Sequence, residues 1–301
     1  KNLYIDASHP NETRVVLKSK HNIEDYEYEG QKNNLNKNNI YLGKVSRIEP
    51  SLQAAFIDFG RERHGFLSFN DIQSDYYQIP KSDLDIIKQE EEKEREELSK
   101  ETEAKEEENL AEGKLEINDP IEIKKEENDS KENLDEENKN KKRFKFKRYK
   151  IQEVIKPNQV ILVQVIKDER GQKGAALSTF ISIAGKYIVL MPNTPKGGGI
   201  SRKIFNPVDR KKIRTILNEI EIPKEMGLIV RTAGSNKTKN EINSDLQNLL
   251  KTWNQIKDNA INSIAPTLIH QESEIIKRTL RDIYDENTKN IIVEGNEGYK
   301  K

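Results

Sequence analysis

Cysteine is absent from all 301 residues. That excludes a disulfide framework, a thiol nucleophile and any thiolate-held zinc or iron–sulfur centre, and it is compatible with a reducing compartment. Aromatics are scarce at 6%, with a single tryptophan, and the apolar set AVILMFWYC reaches only 33%, well below the roughly 45–50% of ordinary globular chains. Neither sign of charge dominates. Lys+Arg and Asp+Glu are 52 each, so net charge says nothing about a polyanionic partner, and only its distribution can. No apolar run approaches the ~20 residues of a membrane-spanning helix. Lys1-Asn2-Leu3-Tyr4 is not a signal peptide, and with no initiating methionine the chain reads as a fragment of a longer fold.

What is abundant is charge, 35% of residues, and much of it has one address. From Asp85 to Arg143 there is no aromatic residue, and Glu, Lys, Asp and Asn dominate. Such a segment buries too little surface to offset ordering entropy of roughly 1–2 kcal/mol per residue, so it reads as a disordered acidic insertion. Within it, Ile86 to Glu112 has the Glu–Lys spacing of a solvated helix. The insertion ends in Lys141 to Lys150, a basic run interleaved with aromatics.

With the insertion set aside, short strand-like runs remain at Ile40–Ile48, Gln53–Phe59, His64–Phe69 and Val160–Ile166, and Gly174–Leu177 leads into a fifth. Five such strands suit a small OB-type barrel with the insertion as a loop between the third and fourth. Further on, Thr179–Ile183 and Tyr187–Met191 read as a hairpin around Ala184-Gly185-Lys186. A helix begins near Pro207 and carries Ile213, Ile216, Leu217 and Ile220. Gly227–Val230 reads as a buried strand that stops at Arg231-Thr232-Ala233-Gly234. A longer helix from Glu241 turns Ile242, Leu246, Leu249, Leu250, Trp253 and Ile256 to one side. Another, from about Ser273, turns Ile275, Ile276, Leu280 and Ile283 inward, and Asn290–Glu294 begins a strand.

Alternation puts Phe56 and Ile57 on opposite sides of one strand, with Phe66 one strand away. Lys44, Arg47, Arg63 and His64 lie around them. Two rings on adjacent barrel strands make a platform for unpaired bases, worth ~1–3 kcal/mol per base, although alternation alone also admits both rings as core. Arg231 offers a planar fork suited to phosphate, with the Thr232 hydroxyl beside it. A strand-end Arg-Thr equally suits a surface salt bridge and a turn. His9, His21, His64 and His270 show no metal spacing.

The runs Tyr41-Leu42-Gly43-Lys44-Val45-Ser46-Arg47-Ile48-Glu49-Pro50-Ser51-Leu52-Gln53-Ala54-Ala55-Phe56, Lys167 to Leu177, Leu190-Met191-Pro192-Asn193, Gly198 to Arg202, Gly227 to Gly234 and Leu268 to Ser273 together resemble the bacterial ribonuclease E/G endoribonucleases. The likeness leans toward the ribonuclease E side, the N-terminal part of its catalytic half, and covers nearly everything except the acidic insertion. It implies an α+β fold in four spans. Residues 1–34 would start an RNase H-like subdomain, and 35–179 an S1-type RNA-binding OB barrel interrupted by 85–143. The span 180–276 would be a 5′-sensor region, and 277–301 the truncated remainder of the RNase H-like part. The resemblance implies single-stranded RNA held by Phe56, Phe66, Lys173 and Lys44. It further implies a 5′-monophosphate held by backbone groups of Gly185 and Val189 and side chains of Arg231 and Thr232, with Arg202 as a further contact. No other cation of that block is expected to replace Arg231. Catalytic aspartates holding Mg2+, and a cysteine pair for Zn2+, are expected beyond residue 301, so the fragment alone should bind RNA without cutting it. Homo-oligomerisation as a tetramer, degradosome proteins as partners and a cytoplasmic location, at the inner face of the membrane, are implied for the intact enzyme in RNA processing and mRNA decay. A ribosomal-RNA-maturing relative of the ribonuclease G type and a non-catalytic RNA-binding protein are the alternatives.

Overall fold

The structure is a computed structural model that describes residues 1–9, 12–20, 22–30, 36–90, 93, 149–171, 173–194, 199–220, 222–223, 225–272, 274–284 and 288–300. Most of the acidic insertion and of the basic run Lys141–Lys150, together with Ser273, lies outside them.

Five strands close into a barrel: β4 (Ile40–Glu49), β5 (Ala54–Asp58), β6 (Gly65–Ser68), β7 (Val160–Lys167) and β8 (Ala176–Ser178). Strand β4 pairs with both β5 and β7, and β8 runs antiparallel to β7 and parallel to β6, which leaves no gap around the ring. One parallel contact among antiparallel ones agrees with an OB-type barrel. The breaks fall where the sequence puts them. Pro50–Leu52 makes one 3-10 turn after β4, and Gly60 turns the chain at φ 86°. Inside, Tyr41, Val45, Ile57, Phe59, Leu67, Val163 and Leu177 form the core. The sequence reading did not foresee the single helical turn Ile151–Val154, which closes one end of the barrel with Ile151, Val154 and Ile155 fully buried. Residues 81–90 are helical and run into the insertion. Of the expected helix Ile86–Glu112, positions 86–90 and 93 are described and helical, and the rest lies outside the described residues.

A second sheet runs in the order β11 (Gly199–Ile200), β12 (Gly227–Val230), β10 (Ile188–Met191), β9 (Ile183–Ala184). Helices α1 (Pro207–Glu219) and α2 (Lys239–Ile261) cover it through Ile213, Ile242, Leu246, Leu249, Trp253 and Ile256. The expected hairpin around Gly185 forms, but its first strand is only two residues long instead of spanning Thr179–Ile183. The reason is that side chains take the backbone groups a ladder would use. Asn193 accepts from the Ile181 N–H at 2.9 Å and donates to the Thr179 carbonyl at 2.7 Å. Gln164, 1% exposed on barrel strand β7, accepts from the Ser182 N–H and donates to its carbonyl, both at 2.8 Å. That one amide staples the second sheet to the barrel.

The two ends of the described chain share a third sheet, in the order β14 (Asn290–Glu294), β1 (Asn2–His9), β2 (Glu12–Ser19), β3 (Asn22–Gly30), with β14 parallel to β1. Leu3, Ile5, Val15 and Leu17 pack against Ile275 and Ile276 of α3 (Ile275–Asp282). Leu280, expected inward, is 36% exposed, and Thr279 is buried instead. The buried stripe is 275, 276, 279, and position 280 lies a further 100° around the helix. A short helix, α4 (Asn296–Lys300), follows β14. Strand β13 (Thr267–His270) pairs with the first residues of β4 and leads the chain from α2 to α3.

Ile57 has no exposed surface and sits among barrel core side chains, so Ile57→Ala should cost about 2–5 kcal/mol in denaturant unfolding. Leu52→Ala, on a side chain 59% exposed, should stay within about 0.5 kcal/mol. Equal effects would mean the inward face of β5 is assigned wrongly.

Candidate nucleic-acid interface and anion pocket

Phe56 and Phe66 face one another across the β5–β6 ladder, ring centroids 6.0 Å apart in an edge-on arrangement. Neither belongs to the barrel core, and both are half-buried on its outer surface. A bulge in β4 after Val45 brings Arg47 opposite Phe56, where its guanidinium lies 4.4 Å from the ring centroid. Lys44 pairs with Asp58, two residues along β5 from Phe56, and so shares that face.

Lys173 reaches the same rim by a different route. Arg170 and Lys173 close a tight turn with reciprocal backbone hydrogen bonds of 3.0 and 3.1 Å. The next residue, Gly174, presses on His64: a Cβ there would meet the His64 carbonyl oxygen at 2.2 Å, so only glycine fits. The Arg63 side chain donates to the Gly171 carbonyl, and the Phe66 N–H donates to Ala175 at 2.7 Å. The loop carrying Lys173 is thereby tied to the start of the strand that carries Phe66.

The second cluster lies at one end of the β11–β12–β10–β9 sheet. Ile188 and Ile200 both register with Val230, so the Gly185–Tyr187 turn, the Ser201-Arg202 exit and the Arg231-Thr232 exit all emerge together. Asp245 of α2 reaches into the turn and accepts from the N–H groups of Tyr187 at 2.8 Å, Ile188 at 3.2 Å and Lys186 at 3.4 Å. A Cβ on Gly185 would stand 2.6 Å from that carboxylate, so glycine is what lets Asp245 in. The Gly185 N–H donates to the Ile188 carbonyl, and the Arg231 N–H donates to Tyr187, each at 2.8 Å. By antiparallel alternation Val189 then makes its backbone bonds with Ile229. Thr232 and Arg202 are exposed at the mouth.

The Arg231 guanidinium donates from Nη1 to the Gly185 carbonyl at 2.8 Å and from Nη2 to Asp282 Oδ1 at 2.6 Å. Those bonds leave other N–H groups of the five it carries. On the far side of Asp282, Arg281 grips the same carboxylate with Nε at 3.0 Å and Nη2 at 2.9 Å. Arg281 Nη1 also reaches Glu272 at 2.7 Å and the Ala184 carbonyl at 3.2 Å. The expectation that no other cation of the Gly227–Gly234 block replaces Arg231 concerned that block alone; Arg281, outside it, is joined to Arg231 through one aspartate.

Burial works to raise the Asp282 carboxyl, yet the hydrogen bonds from Arg281 and Arg231 outweigh it and hold the group below the ordinary carboxylate range. For Arg281, burial pulls downward, and Asp282 and Glu272 more than reverse it. His270 is pushed below the usual imidazole value by its burial, with Glu272 pulling the other way. Beside this cluster a cavity of about 130 Å³ is lined by Asn38, Gln164, Ser182, Ala184, His270 and Arg281. Among the described residues no group of three or more His, Asp or Glu side chains is placed to hold a metal ion. Nothing local in the sequence marks Asp245, Glu272 or Arg281. Apart from Asp282 beside Arg281, the side-chain contacts described for them reach residues between 9 and 97 positions away.

Asp282 supplies stability as a carboxylate whose folded pKa is depressed. Its contribution is therefore present above the unfolded value and lost as pH falls through the folded one. Asp282→Asn should lower the urea midpoint at pH 7, and the gap to the unmodified chain should narrow below about pH 4. A gap independent of pH would show that the pairing with the arginines is not what the variant removes.

Comparison with known proteins gives a consistent picture. The ribonuclease E/G family matches residues 182–301. Ribonuclease E of Escherichia coli K12 is 36% identical over 294 residues, covering 98% of this chain and 22% of that protein. Ribonuclease E of Haemophilus influenzae is 34% identical across the whole chain and 26% of its own length. A putative ribonuclease E of Buchnera aphidicola subsp. Baizongia pistaciae is 32% identical over 98% of the chain and 57% of its own length. The chain thus spans about a quarter of the length of the first two relatives and somewhat over half of the third.

Proposed function

The chain belongs to the ribonuclease E/G family, and from that premise we propose that it is the RNA-holding part of a single-strand-specific endoribonuclease. In this reading it grips unpaired RNA on the barrel and reads the 5′ end in the Arg231 pocket. The observation that carries it is the pair of rings at Phe56 and Phe66, outside the core and flanked by Arg47. Rings so placed contribute little to barrel packing, and every base has a π-face to set against them. Lys44 and Lys173 supply phosphate contacts around the rim.

At the second cluster, a terminal monophosphate brings close to two negative charges to the mouth formed by Arg231, Thr232 and Arg202. Arg231 is already oriented by Gly185 and Asp282, so little side-chain entropy is lost when its remaining donors meet phosphate oxygens. Thr232 adds a hydroxyl donor, whereas the Gly185 N–H and carbonyl are taken by Ile188 and Arg231, and Val189 registers with Ile229. The side chains rather than these backbone groups therefore carry the phosphate contact in this reading. Arg281 keeps Asp282 neutralised, which limits repulsion between that carboxylate and the incoming anion. Magnesium would supply the hydrolytic chemistry. The described residues offer no fitting cluster for it and the chain has no cysteine for zinc, so no cleavage step is assigned to this chain's own residues. RNA processing and mRNA decay are the roles this reading assigns to the intact enzyme.

Two short RNAs differing only in a 5′ monophosphate or hydroxyl test both sites. The unmodified chain should prefer the monophosphate by about tenfold or more, given ~1.5–3 kcal/mol for each charge-assisted bond. Arg231→Gln should abolish that preference, and Arg281→Gln should reduce it. Phe56→Ala and Phe66→Ala should weaken both RNAs alike, by ~1–3 kcal/mol per lost stack, with the melting transition unchanged. Preference retained in the Arg231→Gln, Arg281→Gln double variant would defeat the pocket. Normal binding by both phenylalanine variants would defeat the platform.

A further inference from the structure

We propose that the loop after β11 and the outer face of α1 form a second RNA-contact strip. It would hold the nucleotides that follow the 5′ phosphate, with Phe205 as the base-stacking residue. This rests on the reading of the Arg231 pocket given above and extends it to Phe205, Lys211 and Lys212, to which the resemblance assigns no contact.

Phe205 is 85% exposed, an unusual position for a ring on an ordered segment. The loop holding it is pinned at every step. The Ser201 N–H donates to the Val230 carbonyl at 2.9 Å, which places the loop's start beside Arg231. Ile204 is buried, and Arg210 Nη1 binds the carbonyls of both Ser201 and Ile204 at 3.2 Å. Immediately afterwards Asn206 caps α1, accepting from the Val208 N–H at 3.0 Å, with Pro207 as the first helical residue. Phe205 is thus held in solvent between an anchored residue and a fixed cap. Its entropy on meeting a planar partner is already reduced.

The surroundings match a polyanion that carries flat rings. Residues 202–214 contain six cations and one acid. With Ile213 inward on α1, positions 208, 211 and 212 fall on the outer side, and Val208, Lys211 and Lys212 are all exposed there. Phe205 and Val208 are the exposed large apolar residues of this stretch, and Lys203, Lys211 and Lys212 are exposed along with them. One ring and one valine are too little apolar area for insertion into a membrane, and so many like charges oppose a second copy of the same strip. Single-stranded RNA satisfies both features: bases stack on Phe205 while Lys211 and Lys212 meet phosphates, beginning where the Arg231 pocket ends.

The test is titration of the whole chain with a 5′-monophosphorylated single-stranded RNA of about ten nucleotides. A matched RNA lacks the bases of its first three nucleotides. Phe205→Ala should weaken the first about tenfold and leave the second unchanged, while Phe205→Trp restores binding. The double change Lys211→Gln, Lys212→Gln should weaken both RNAs and reduce the slope of log affinity against log salt by about 1.4, two phosphate contacts at ~0.7 each. Unaltered binding by Phe205→Ala, or equal loss on both RNAs, would overturn the strip. So would a Phe205→Ala effect confined to self-association or to vesicles containing an anionic phospholipid. Loss of the monophosphate preference in Arg231→Gln is read separately with bases intact. Failure of the pocket and failure of the strip therefore give different patterns.

Discussion

Strand β4 is the member on which the other parts depend. One stretch of ten residues pairs with β5 over Lys44–Glu49, with β7 over Ile40–Lys44 and with β13 over Ile40–Leu42. The first two pairings close the barrel and remove its edges, which would otherwise be open templates for association. The third brings the chain leaving α2 back across the barrel and delivers Glu272 and then α3. Asn39, next to the start of β4, fixes that delivery by accepting from the Glu272 N–H at 2.8 Å. A bulge in the same strand aims Arg47 at Phe56.

Helix α3 carries this constraint to the other end of the molecule. Its N-terminus is held by Glu29 of β3, which accepts from the Ile275 N–H at 3.0 Å, and Arg278 pairs with Glu27 at 3.3 Å. Its C-terminus ends at Asp282, where a carboxylate is unfavourable against the helix dipole and is held there by two arginines. The sheet made from both ends of the chain and the Arg231 pocket are therefore attached to opposite ends of an eight-residue helix. Such partly buried ion networks give orientation more than net stability. On the proposed reading, an anion at Arg231 would compete with the Asp282 carboxylate for one guanidinium.

The family relationship and the geometry carry different parts of the account. Kinship places the chain among ribonuclease E/G proteins. The geometry separates two surface regions, a ring pair on the barrel and a cationic cluster at one end of the second sheet, which the proposal assigns to RNA. Gly174 permits a backbone approach to His64 that a Cβ would block, and Gly185 leaves the space that the Asp245 carboxylate occupies.

Periodicity determined a great deal here. The barrel strands, the α2 stripe from Ile242 to Ile256, the strand Gly227–Val230 and the strand Asn290–Glu294 were all legible, because alternation and helical spacing are local properties of burial. Alternation placed Phe56 and Phe66 on neighbouring strands but admitted them as core, and Arg231 equally suited a salt bridge; the resemblance is what singled all three out. The tertiary structure decided the rest. Thr179–Ser182 lost its strand to side-chain hydrogen bonds from Gln164 and Asn193, and Leu280 gave its place inside to Thr279. Arg281 met Arg231 across Asp282, and Asp245 entered the Gly185 turn from a helix about sixty residues away. These are pairings of polar groups, and a polar group's partner depends on which distant backbone comes within 3 Å once apolar faces have packed.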